Sequence, residues 1–191
     1  VQVPVENEET YQRLKNALLT NTDILTIGGA QHHIYSNSSK GSVTIGTQPE
    51  KEIDLLNVGD DYFKALNVRL VSGRGFEKDR ASDLNEGMVV NEEFVRRFQL
   101  ANPVGTRVLL NDTIPQYIIG VVKDIYLNAL FQPRTPLAFR YVPESGYRYL
   151  VASTDPAKLE RVNDEIQQAW KGLFPTQLYP GRLMEERMVM A

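Results

Sequence analysis

Few residues in this 191-residue chain combine a reactive type with a spacing that chemistry could use. His32 and His33 are its two histidines. Neighbours on an extended chain point to opposite faces and the flanking loop offers no acid, so loop histidines are expected rather than a metal centre. Gly28 and Gly29 follow an apolar run and suggest a phosphate-binding loop. The Lys-Ser/Thr of a P-loop and the third glycine of a dinucleotide fingerprint are both missing, which leaves a turn as the expectation. Glu92-Glu93 and Asp60-Asp61 are carboxylate pairs of a kind hydrolases use. Both fall at expected helix starts, where acids meet free backbone donors and the positive end of the helix dipole. No cysteine is present and no serine sits in a G-x-S-x-G elbow, so nucleophilic catalysis has no evident carrier. The expectation is a chain with no catalytic, cofactor-binding or metal-binding residue, and not an enzyme.

The elements around these residues follow from periodicity and capping. Residues 1–5 alternate as a strand, with Pro4 suggesting an edge. Asn7 caps a helix whose Tyr11, Leu14, Ala17 and Leu18 share one face, Asn21 ends it, and residues 23–27 form the next strand. Residues 28–41 read as a loop with a mobile SNSSKG tip. Residues 42–46 and 51–58 are strands. Asp60 and Asp61 offer a cap to a short helix carrying Tyr62, Phe63 and Leu66, followed by a strand at 68–71. SGRGF (72–76) is a turn whose Phe76 docks on the core, and residues 77–86 are solvated loop. Leu127, Leu130 and Phe131 lie on the passage to Pro133 and Pro136, after which residues 137–142 and 147–152 are strands. Asp155 and Pro156 open a helix with Leu159, Val162, Ile166, Ala169, Trp170 and Leu173 at helical spacing, which makes Trp170 a core residue. Residues 176–179 read as a short strand, and Leu183, Met184 and Met188 as a last helical piece. Tyr141, Tyr147, Tyr149 and Tyr179 either line a groove or serve packing, and packing is the better reading.

Composition bounds the function classes. With 42% hydrophobic and 24% charged residues the chain is a folded, core-forming protein. A net charge of −3 with no basic run argues against nucleic acid as a partner. No apolar run approaches the roughly 20 residues that cross a bilayer, and no signal segment opens the sequence.

Residues 87–124 organise the chain. Met88, Val89 and Val90 lead into Asn91, which can cap a helix bearing Glu92 and Glu93 in its first turn and Arg96 and Arg97 near its end. Phe94, Val95 and Phe98 give that helix an apolar side, and Asn102, Pro103 and Gly105 stop it. Residues 106–110 and 117–122 are strands around a turn. The runs VVNEEFVRRF (89–98), NPVGTRV (102–108) and YIIGVVKD (117–124) together resemble the extracytoplasmic core domain of MacB/FtsX-like permeases of ABC transporters. DDYFKALNVRLVSGRGF (60–76) is similar to the segment that precedes them in that family, and the resemblance spans roughly residues 55–174.

The elements give an α+β fold: two β-α-β units that can pair into a ferredoxin-like, porter-type lobe, with an inserted β-rich lobe carrying short helices. The expected division is residues 1–46 with 135–191 as a membrane-proximal lobe and 47–134 as a distal lobe. The resemblance implies a non-catalytic extracytoplasmic domain, at the periplasmic face of the inner membrane, that transmits ATP-driven helix motion. It implies a cytoplasmic ABC ATPase acting through membrane helices, a periplasmic or outer-membrane protein partner, and a homodimer in the full-length protein. The alternative is a periplasmic ligand- or peptide-binding module with an interlobe cleft. A hydrolase using a carboxylate pair is the weakest reading.

Overall fold

A computed structural model describes residues 1–34, 38–125 and 134–184. The fold is mixed α/β with a sheet-rich core. Its strands are β1 (Gln2–Pro4), β2 (Ile24–Ala30), β3 (Ser39–Thr44), β4 (Lys51–Val58), β5 (Leu70–Gly73), β6 (Gly87–Asn91), β7 (Arg107–Leu110), β8 (Ile114–Val122), β9 (Leu137–Tyr141) and β10 (Tyr149–Thr154). Its α-helices are α1 (Glu8–Leu18), α2 (Tyr62–Ala65), α3 (Ala81–Asn85), α4 (Glu92–Arg97) and α5 (Leu159–Leu173).

The two ends of the described chain build one sheet. β10 lies between β1 and β2, antiparallel to both. On the far side of β1, Gln2 forms an antiparallel bridge with Arg182, its N–H donating to the Arg182 carbonyl at 2.9 Å and its carbonyl accepting at 2.8 Å. Asn7 caps α1 by accepting from Thr10 N at 3.0 Å, and Asp155 accepts from Ala157 N at 2.9 Å where a 3-10 turn leads into α5. Both helices cover the same face of this sheet. Tyr11, Leu14 and Leu18 of α1 and Val162, Ile166 and Trp170 of α5 join Val3, Leu150 and Ala152 in one buried cluster. Each large side chain so buried contributes on the order of 1.5–3 kcal/mol.

The middle of the chain closes on itself. Strands β4, β3, β7, β8, β6 and β9 pair in that order, and β9 pairs back to β4, which makes a six-stranded ring. The β4–β9 and β6–β8 pairs are parallel; the others around the ring are antiparallel. Alternation sorts the side chains. Val43, Ile53, Met88, Val90, Val108, Leu110, Ile118 and Ala138 fill the ring, with Phe94 of α4 and Phe98 just after it closing one end. The outward residues Leu56, Val58, Val89, Leu137 and Phe139 pack under Tyr62, Phe63, Ala65 and Leu66 of α2 and the adjoining turn. The same cluster reaches Ala30 and Val151 on the second face of the terminal sheet. One register pair, Ala30 with Val58, joins the two sheets directly.

Several expectations need correction. Gly28 and Gly29 are not a turn but the continuation of β2. A Cβ at Gly28 would lie 2.9 Å from the Asp61 carbonyl, and one at Gly29 would lie 2.0 Å from the Tyr147 ring, so close approach and not bending explains both. Residues 77–86 are not all solvated loop: they include α3, whose Asp83 is fully buried. No strand forms at residues 176–179; the chain instead reaches β1 at Arg182. Asp61 makes no side-chain capping bond to α2 and pairs with Lys64 at 2.9 Å. The turn between β7 and β8 is shorter than expected, because Asn111 and Asp112 take positive φ values of 50° and 58°. β3 and β9 were assigned to the terminal lobe by the expected boundaries at 46/47 and 134/135. Both pair within the ring: β3 with β4 and β7, β9 with β4 and β6. Leu127, Leu130, Phe131, Pro133, Met188 and part of the SNSSKG tip lie outside the described residues.

Candidate functional site

The motif residues of the sequence meet at one end of the ring. Asn91 Oδ1 accepts from Phe94 N at 3.0 Å and from Leu137 N at 2.9 Å, while its Nδ2 donates to the Thr135 carbonyl at 3.0 Å. One buried amide therefore starts α4 and ties it to β9. Asp124 Oδ1 accepts from Glu93 N at 2.7 Å, and its other oxygen accepts from Arg96 and from Arg134. Glu92 pairs with Lys123 at 3.2 Å. Glu93 pairs with Arg96 at 2.9 Å, so both acids of the helix start are held in separate ion pairs. In the NPVG run, Gly105 has φ of 87°, and its N–H donates to the Ile118 carbonyl at 2.8 Å, which seats the turn on β8.

The SGRGF turn does more than turn. Arg74 donates two parallel bonds to Asp83, at 2.6 and 2.7 Å, and Asp83 also accepts from Glu77 N at 2.9 Å. Burial alone would raise the Asp83 carboxyl, but the Arg74 fork and the Glu77 N–H outweigh it and hold it below the usual carboxylate range. Phe76 stacks on Phe63 in the cluster between the lobes, as the sequence suggested. The Arg74–Asp83 pair was not legible; an arginine between two glycines, with an acid nine residues on, was its only signal.

This pair fixes α3 on one wall of an open groove of about 570 Å³. Glu8 and Gln12 of α1 line the opposite wall, with Lys78, Arg80 and Leu84 on the ring side and Tyr141 and Glu144 at the base. Glu144 spans it. It accepts from Lys15 at 3.0 Å and from Gln12 at 3.1 Å, and Lys78 lies 3.8 Å away. Burial raises the Glu144 carboxyl, yet its bond to Lys15 and the other donors leave it below the usual range. Such a groove can accept a polar, charged chain segment or simply hold two lobes at a fixed angle. Its charged lining residues are Glu8, Lys78, Asp79, Arg80 and Glu144.

The histidines go separate ways. His33 is fully buried, with Nδ1 2.9 Å from the Tyr62 hydroxyl, and burial pushes its pKa down to about 3. His32 Nδ1 accepts from Asn57 N at 3.0 Å, so its proton sits on Nε2, 3.4 Å from Ser39 Oγ. Trp170 is buried against Phe174. Tyr141 and Tyr147 are buried while Tyr149 and Tyr179 are half-buried, and Tyr179 bonds to Asn163 at 3.1 Å, so the four tyrosines share no groove. Among the described residues no group of three or more histidine and acid side chains could hold a metal ion, and no helix is long and apolar enough to cross a membrane.

Comparison with known proteins agrees with this geometry. The family model described as the MacB-like periplasmic core domain matches residues 6–169. The macrolide export ATP-binding/permease protein MacB of Rhodopseudomonas palustris (strain BisB18) is 29% identical over 135 residues, 65% of this chain and 19% of its own length. MacB of Aggregatibacter actinomycetemcomitans is 30% identical over 90 residues, 47% of this chain and 14% of its own. The chain therefore spans less than a fifth of either relative. The crystal structure of the periplasmic region of MacB from Actinobacillus actinomycetemcomitans superposes with a TM-score of 0.60 at 21% identity, covering 90% of this chain and 75% of that one. The extracellular domain of the ABC-type transporter YknZ from Gram-positive bacteria gives 0.59 at 12% identity, covering 92% and 94%. The ring capped by α4, the sheet shared by both chain ends and the family match over residues 6–169 lead to one assignment: the chain belongs to the family of MacB-like periplasmic core domains of ABC transporter permeases.

Proposed function

We propose that this domain is non-catalytic and passes motion from the membrane helices of an ABC permease to the periplasmic side. The helices would be driven by a cytoplasmic ABC ATPase. The observation that carries the reading is the pairing of Gln2 with Arg182, which brings both ends of the described chain onto one sheet. A displacement entering at either end then moves the same strands and the helices packed on them as a body. The order Arg182, β1, β10, β2, with α1 and α5 on one face, supports reading this part as a ferredoxin-like lobe of the porter type. We place the division between lobes near residues 31 and 142, because β3 and β9 hydrogen-bond within the ring. The distal ring is where a periplasmic or outer-membrane protein, or a second copy of the domain, would be contacted. Export, lipoprotein handling and envelope signalling are all uses of such a lever.

The interlobe groove supports a second reading, a binding module that closes on a peptide. Its salt-bridged base favours a fixed joint instead. Spin labels at Gln12 and Lys78 in the full-length permease, reconstituted with its ATPase, separate the two. Transmission requires an unchanged Gln12–Lys78 distance through the nucleotide cycle, while the distance from Gln12 to a membrane-helix label changes. A Gln12–Lys78 distance that shortens on adding peptide, and ignores nucleotide, establishes the binding module and removes the lever.

A further inference from the structure

Two leucines stand out from the terminal lobe. Leu25 is 70% exposed and Leu19 65%; apart from Leu178 at 93%, the other exposed large apolar side chains among the described residues reach 46% at most. Both flank the turn between α1 and β2. Leu19 is the C-cap of α1, and the turn is held by Asn21 N donating to the Leu18 carbonyl at 3.0 Å and Ile24 N to the Asn21 carbonyl at 3.3 Å. Leu25 sits in a β-bulge. Ile24 is opposite Thr154 and Thr26 opposite Ser153, which leaves Leu25 as the extra residue between them.

Register fixes where these leucines lie. β2 meets the ring through its last residue, Ala30, so Leu25 is near the strand's other end, away from the ring. Val1 is hydrogen-bonded to Ala152, which is opposite Ile27. Leu25 therefore lies two residues beyond the level of Val1, in the direction that leads away from the ring. Arg182 is opposite Gln2 on an antiparallel segment, so the chain after it also runs past Val1 toward this pole, starting with the exposed Leu183. Both ends of the described chain thus come out where Leu19 and Leu25 project. The charges beside them are already paired: Asp23 with Lys158 at 2.5 Å and with Arg161, while Asn21 Nδ2 donates to Glu165 at 2.6 Å.

A leucine held in water gains by moving into the boundary between lipid headgroups and acyl chains. Given the reading above, in which membrane segments continue from both chain ends, the bilayer is the surface that this pole faces. We infer that the turn between α1 and β2 rests in the phospholipid headgroup region, with Leu19 and Leu25 inserted as a shallow apolar anchor. The anchor fixes the foot of the lobe while its other end carries the ring.

The test uses the full-length permease in vesicles of phosphatidylethanolamine and phosphatidylglycerol, with a nitroxide attached at Leu19→Cys, Leu25→Cys or Leu178→Cys. Leu178 is the control, because it follows Phe174 at the opposite end of α5, about 22 Å of helix from the pole. Power saturation compares collisions with oxygen, which enters the bilayer, and with a nickel chelate, which stays in water. Expected is nickel accessibility at least about threefold lower at residues 19 and 25 than at 178, with oxygen accessibility retained. A label at Thr20, exposed between the two, gives the same reading if either leucine variant fails to fold. Equal nickel accessibility at 25 and 178 overturns the anchor, and so does protection from both nickel and oxygen, which identifies a protein cover instead. No nucleotide enters this measurement, so a lever that fails the Gln12 distance test leaves it unaffected. Water-exposed leucines in a permease that passes that test mean a lobe standing off the bilayer, and remove the anchor alone.

Discussion

The terminal lobe and the ring are both built around buried clusters, but they are completed in different ways. The lobe stacks two long helices on one face of a short sheet, and its core is held by side chains such as Leu14, Ile166 and Trp170. Among the described residues the ring has no covering helix of comparable length. It is finished by backbone pairing all the way round and by one short helix as a lid. The contrast teaches where stiffness comes from: side-chain packing in one region, closure of a hydrogen-bonded circuit in the other. Between them α2 sits directly on the backbone of β2, and Tyr147 lies across Gly29 and Gly59. The joint therefore leaves no room for a side chain at Gly28, Gly29 or Gly59.

The strongest way to break the comparison is to empty each core in turn. Phe94→Ala and Trp170→Ala should each cost about 3–5 kcal/mol by urea unfolding. Hydrogen exchange should then show lost protection in β6–β9 for the first and in β1, β10 and α1 for the second. Uniform loss in both variants would mean that the lobes unfold as one unit and that the distinction is only architectural.

Acid should act through the joint. His33 is neutral when folded, with a pKa held near 3, against about 6.5 in the unfolded chain. Its contribution is fully present above about pH 6.5 and is lost progressively as pH falls toward 3, because the unfolded chain takes up the proton first. The loss should reach roughly 2–3 kcal/mol by about pH 4.5 and be absent in His33→Gln, as measured by unfolding across pH.

Gly29→Ala places a methyl against the Tyr147 ring and should cost about 1–3 kcal/mol, with Tyr147→Leu in the same chain recovering part of it. Asn91→Ala removes the cap of α4 and the partner of Leu137 N, and should cost about 1–2 kcal/mol in thermal melts. Smallest of all, Glu9→Ala breaks an exposed pair with Arg13 and should leave stability unchanged within about 0.5 kcal/mol.

What the sequence disclosed matches the same division. α1 and α5 announced themselves through Asn7, Asp155 and the apolar spacing of Tyr11 to Leu18 and Val162 to Trp170, because a helix is specified locally. Asn91 was legible as a cap for the same reason. The ring was not. Each strand of β3, β4, β6 and β9 could be seen or guessed, but nothing in residues 54–58 says that they pair with 137–141, since pairing is decided by the rest of the circuit. Gly28 and Gly29 were misread because the residues that need their missing side chains, Asp61 and Tyr147, are far along the chain. α3 escaped notice because its five residues carry one buried side chain, and that one is an aspartate whose partner is Arg74.

The closing of the circuit also sets a timetable for biosynthesis. β4 must wait for β9, so the ring cannot close until the ribosome has passed residue 141. β1 and β2 must wait for β10 and Arg182, so the terminal sheet cannot be completed until it has passed residue 182. Contacts this distant make for a slow collapse, with strands exposed along much of the nascent polypeptide until the last of them arrives.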